Sequence, residues 1–216
     1  MNPAILTVMG LVMSAAPPEA LPAIRVFVHG STVVSPGVLI EARQEAARIL
    51  RDAGVETQWF ECSRSALSAQ PEPDCEVALL PSHVVVMIAA RWKRQYYRVR
   101  RGVPPALMEV LGEATCIEQS CANDVTIYSN IVERRAKRSD ARRIRLLGGA
   151  IAHEIWHVLL GPQHSTGIMA PDWAEKDVLK LPADRLLFSA SDRRRLETQV
   201  RARLRADQQV ASHASR

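Results

Sequence analysis

No stretch of this 216-residue chain approaches the 18 or more consecutive apolar residues of a membrane-spanning helix, which argues against a helical membrane protein. None of the four cysteines stands in C-x-x-C spacing, which argues against a zinc ribbon or a dithiol redox motif. There is no internal repeat. No Lys or Arg precedes the longest apolar run, Ala4–Met13. That run nevertheless has the length of a signal-peptide core and leads into small Ser14, Ala15 and Ala16. Residues 1–22 are therefore read as a signal peptide or a disordered start. Pro17 hinders cleavage after Ala16, so Ala15 or Ala20 is the expected boundary.

What remains is enough for one domain with a proper core, expected over residues 23–206, with a frayed tail at 207–216. The formal charge of +5 favours acidic partners in general and selects none. The even number of cysteines suits two disulfides in an exported protein, and export implies a secreted or periplasmic location. Three pairings are open. Cys62–Cys75 and Cys116–Cys121 are favoured because each flanks a local loop.

The most informative stretch is 153–169, which begins His153-Glu154-Ile155-Trp156-His157. On a helix, His153 and His157 lie about 40° apart around the axis, near enough to hold one ion. Glu154 is about 100° on from His153, beside that face but not on it. Two imidazoles to hold a metal and a neighbouring carboxylate to take a proton from its water is the division of labour of a zinc hydrolase. Ile151, Ile155, Val158 and Leu159 make the helix apolar, where unpartnered polar residues would be penalised. Gly161-Pro162 stops it. His164 then returns within reach of the same ion, ahead of Gly167-Ile168-Met169.

His153-Glu154-x-x-His157, the following Gly161, His164-Ser165 and Gly167-Ile168-Met169 resemble the zinc site and methionine turn of the metzincin metallopeptidases. Over about residues 24–205 the pattern also resembles a group of small bacterial metzincin-like proteins. This chain has three residues between His157 and Gly161 where the metzincin motif has two, and Trp156 where a small residue is common. The resemblance implies Zn²⁺ held by His153, His157 and His164, Glu154 as general base, and Met169 as a floor beneath the histidines. A rival third ligand is Glu175, which would suit a gluzincin-like arrangement. Tyr128 is a candidate oxyanion donor, since Ala170 and Pro171 stand where some metzincins place a tyrosine.

Strands are expected at 25–30, 55–62, 83–90, 114–120 and 124–130, with Asn123 and Asp124 turning between the last two. Helices are expected at about 38–53 and 140–160. Loops cover 63–82 and a charged link 133–143; Trp173–Leu187 is irregular or a short helix. Ser189-x-x-Asp192 resembles a capping box for a final helix striped by Leu196, Val200 and Leu204. This order matches an α+β, zincin/metzincin-like fold: a twisted mixed sheet of about five strands with two helices, plus a C-terminal helix.

The expected activity is that of a zinc-dependent metallopeptidase acting on a peptide or protein substrate, which could pair with a sheet edge near 114–119. The alternatives are a non-catalytic metal-binding module and a metal-dependent endoribonuclease. The basic, aromatic segment 91–101 would suit RNA. Glu154 argues against that, since ribosome-maturation endoribonucleases with three histidines typically lack it, so nucleic acid is not the expected partner.

Overall fold

The computed structural model describes residues 20–30, 33–62, 75, 79–91, 110–171, 173 and 187–214. The start expected to be a signal peptide, most of the 63–82 loop and the basic segment past Arg91 lie outside them. The elements are β1 (Ala23–His29), α1 (Pro36–Asp52), β2 (Glu56–Glu61), β3 (His83–Ala89), β4 (Gly112–Ile117), β5 (Ser120–Tyr128), α2 (Ser129–Ala136), α3 (Asp140–Leu160) and α4 (Ala190–Ala214).

β-branched residues alternate through the inner strands, and the alternation aims them at one face. Ile24, Val26 and Val28 of β1, Val84, Val86 and Ile88 of β3, and Val125 and Ile127 of β5 are all buried. Together with α1 and α3 they form the core. α1 contributes Val38, Leu39, Ala42, Ala46, Ile49 and Leu50, an i, i+3, i+4 stripe. Gly148 is where α3 meets α1. A Cβ there would sit 2.6 Å from the Ala42 carbonyl oxygen, so only glycine permits this approach.

The sheet order is β2-β1-β3-β5-β4. β1, β2, β3 and β5 run parallel and β4 antiparallel to β5, which leaves β4 as the edge beside α3. This is the expected zincin-like fold, a twisted mixed five-stranded sheet with helices.

Three details differ from the sequence expectation. The β4–β5 turn lies at Glu118 and Gln119, with Glu118 left-handed at φ 54, rather than at Asn123-Asp124. Cys116 pairs with Cys121 in register and is bonded to it, and that cross-link outweighs the turn preference of Asn-Asp. Asn123 instead lies within β5 and donates to the Leu80 carbonyl. The charged link is partly helical, because Ile131, Val132 and Ala136 give α2 a buried side. α4 runs on to Ala214, and Asp207 within it accepts from the Ser82 N–H at 3.1 Å.

Both expected disulfides, Cys62–Cys75 and Cys116–Cys121, are present. Titration of the denatured, unreduced protein should therefore find no free thiol. Four reactive thiols would contradict the pairing.

Candidate metal centre

α3 opens with Ser139, whose side chain accepts the Arg142 N–H at 3.4 Å, and with Asp140 favourably placed in the first turn. Its last three turns are almost wholly buried, including His153, Glu154 and His157. The burial of three ionisable groups on consecutive turns requires that each find a partner.

The histidines find theirs through Nδ1. His153 Nδ1–H donates to the Ile168 carbonyl at 2.7 Å, and His157 Nδ1–H to the Gly161 carbonyl at 2.9 Å. A carbonyl only accepts, so each Nδ1 carries the proton and each Nε2 of a neutral ring presents a lone pair. The two Nε2 atoms face each other at 3.0 Å. His164 approaches from the loop after α3, its ring centroid 4.7 Å from that of His157 and 5.3 Å from that of His153. One ligand atom from each of the three histidines lies within 4.8 Å of the others. The sequence-predicted trio is therefore brought together, whereas Glu175 lies outside the described residues.

Gly161 ends the helix. It sits at φ 99, its N–H donates to the His157 carbonyl at 2.8 Å, and its own carbonyl receives the His157 ring. A left-handed glycine thus both ends the helix and fixes the second histidine. The turn 167–169 does the same for the first. The Ile168 carbonyl takes both His153 Nδ1–H and Trp173 Nε1–H, and the Trp173 ring stands edge-on to His153 at 5.7 Å. Met169 is fully buried behind this turn. Trp156, the second departure from the metzincin motif, is fully buried with the Arg195 guanidinium of α4 over its ring at 5.4 Å.

Burial holds His153 neutral, pushing it down to about 3 against the opposing pull of its Ile168 hydrogen bond. His157 is lowered for the same reason. Burial and then the nearby Glu113 carboxylate push Glu154 up to about 8, opposed by a hydrogen bond from the Ala114 N–H of β4. The edge strand therefore touches the proposed base through its backbone, close to the register irregularity between Ala114 and Cys116. Tyr128 donates its hydroxyl to Glu113, which directs it to the strand.

Sequence reasoning did not assign roles to the Ile168 and Gly161 carbonyls, to Trp173, or to the Ala114 N–H. Backbone partners leave no side-chain signature; Gly161 was visible as a helix stop and Ile168 as part of the Gly-Ile-Met turn, while Trp173 lies in a segment read as irregular.

No protein-family model matches the sequence, and no curated protein does. Among solved structures the chain is similar to the crystal structure of an archaemetzincin from Methanopyrus kandleri. The TM-score is 0.50 at 12% identity, covering 87% of this chain and 99% of that one. At that identity the likeness is one of fold.

Proposed function

We propose that this protein is a zinc-dependent peptidase of the metzincin kind, with His153, His157 and His164 as metal ligands and Glu154 as general base. The observation that carries the proposal is the pair of facing Nε2 atoms. Two lone pairs 3.0 Å apart repel unless a cation lies near both. A proton is a poor candidate, since burial drives it off His153 until about pH 3. A divalent metal with an affinity for imidazole suits the donor set, and three protein ligands leave a coordination position open, as in catalytic zinc sites. Bound there, zinc would supply Lewis acidity, lowering the pKa of a water and polarising a carbonyl.

The chain's own residues do the rest. With zinc bound, whose charge would favour the carboxylate that burial alone disfavours, Glu154 would take the proton of the attacking water and deliver it to the leaving amine, steadied by the Ala114 N–H. The Ile168 and Gly161 carbonyls keep His153 and His157 in the tautomer that offers Nε2. Met169 packs beneath as a floor. An extended peptide would add to the outer side of β4, using backbone groups that β5 does not occupy. The disulfides and the absence, among the described residues, of a helix able to cross a membrane accord with a secreted or periplasmic protein.

Elemental analysis should find one zinc per chain after purification without chelator or after reconstitution. No stoichiometric transition metal in either preparation would refute the proposal.

The metal-free protein should also show a distinctive pH dependence. Folded, Glu154 keeps its proton to about pH 8, while unfolded it releases it near 4.5. Between those values the folded state binds the extra proton, so this group's contribution to stability falls as pH rises. His153 acts oppositely: the unfolded chain protonates it below 6.5 and the folded chain refuses the proton until about 3, so its contribution is lost as pH falls. The lowered His83 and His157 act as His153 does, and unfolded histidines are still half protonated at 6.5, so the Glu154 effect dominates only above about pH 7. The melting temperature in chelator should drop between about pH 7 and 8.5, and Glu154→Gln should flatten that slope. An equal slope in the variant would assign it to another group.

A further inference from the structure

Helix α4 packs against the metal-bearing elements with one face, and two charged side chains on that face reach residues that immediately follow a histidine of the cluster. Asp192, in the first turn, is 1% exposed and accepts the Ser165 hydroxyl at 2.6 Å; Ser165 follows His164. Arg203, eleven residues on and therefore about 20° around the axis from Asp192, donates to the Val158 carbonyl, and Val158 follows His157. Arg203 also donates to the Pro81 carbonyl at 2.7 Å, which fixes the far end of α4 to the start of β3. Leu196 and Val200, both fully buried, fill the space between the two charges.

This arrangement does more than begin a helix. Ser189 Oγ accepts the Asp192 N–H at 3.2 Å and donates to Asp192 Oδ2 at 2.6 Å, which is the capping interaction expected from the sequence. The same Oδ2 receives Ser165, so one buried carboxylate oxygen joins the helix cap to the histidine loop. The loop has further ties: Ser165 N–H to the Met169 carbonyl at 3.0 Å and Ile168 N–H to the Leu187 carbonyl at 3.2 Å. His153 and His157 are placed by a rigid helix. His164 lies on an exposed loop rather than on a helix, so the bonds that hold its neighbour Ser165 bear directly on its position relative to the other two.

We infer that Asp192 is a positioning residue for the third metal ligand: through Ser165 it makes α4 a clamp that sets the place of His164. The inference rests on the metal-site reading of His164. Groups that orient ligands from outside the coordination sphere are worth about 10–100-fold in metal affinity.

Zinc affinity measured by competition with a chromophoric chelator, and the visible absorption of the Co²⁺ form, test it in the full chain. Ser165→Ala and Asp192→Ala should each weaken zinc about tenfold and alter the Co²⁺ spectrum. The double variant should be no weaker than the weaker single one, because both remove one link. Ser165→Thr, which keeps the hydroxyl, should restore both readouts. Ser165 is exposed, so its variants stay informative even if Asp192→Ala folds poorly. Should His164→Ala weaken zinc while Ser165→Ala and Asp192→Ala bind as wild type does, the clamp is wrong and the metal site stands. Should the wild type bind no metal, or His164→Ala bind as well as wild type, the ligand assignment falls and the clamp with it.

Discussion

Glu154→Gln retains zinc and loses about 10²–10⁴-fold in the rate of peptide-bond hydrolysis, the span that a positioned general base contributes. Gln preserves the volume that the packed end of α3 requires, and its amide oxygen can still accept the Ala114 N–H. It has no basic oxygen to take a proton. Because Glu154 is not among the three clustered histidines, the substitution leaves the ligand set untouched. A peptide library digested by wild type and variant, with zinc content measured on both, separates the two effects. Equal cleavage rates would remove Glu154 from the role of base. Loss of zinc together with loss of rate would instead show that the carboxylate holds the site together.

The second large effect is on metal affinity. His164→Ala should weaken zinc binding beyond the about 10–100-fold of an outer-sphere change, since it removes a ligand outright. Glu175→Ala should bind zinc as wild type does. The sequence leaves these two as rivals because imidazole and carboxylate both suit zinc. Geometry favours His164, whose ring stands beside those of His153 and His157 and whose loop runs directly into the turn that carries the Ile168 carbonyl. A zinc titration giving the reverse pattern would transfer the third ligand to Glu175 and undo the likeness to a metzincin site.

The histidine-bearing segment was legible in the sequence because its determinants are local. Four-residue spacing, an apolar helix and a Gly-Pro stop all act within one turn of the residues concerned, and the period of the hydrophobic pattern announces the element. The inner strands were legible for the same reason, since Val-Val-Val-Met-Ile in β3 has few other uses. What escaped is set by contacts between distant segments. The β4–β5 turn was misplaced because Asn123-Asp124 has turn chemistry, yet Asn123 is occupied by the Leu80 carbonyl and by Arg203. α2 was hidden in a charged stretch whose three apolar residues become a stripe only when helical. Ser189 and Asp192 were recognised as a cap. The bond from Asp192 to Ser165, 27 positions away, has no pattern by which sequence could announce it.

Among the described residues strand β4 ends the sheet, paired with β5 on one side only and with its Ala114 N–H given to Glu154. An edge able to accept an extended peptide can equally accept its own copy in another molecule, and two such edges would zip into a continuous sheet. The strand carries the marks of a surface guarded against that. It is only six residues long, its register is broken between Ala114 and Cys116, and Glu113 and Glu118 place negative charge at either end. Ile117, 77% exposed at the tip, is the one adhesive residue left on it. Removing the charge of Glu118 should therefore favour self-association through the same edge proposed to receive the substrate.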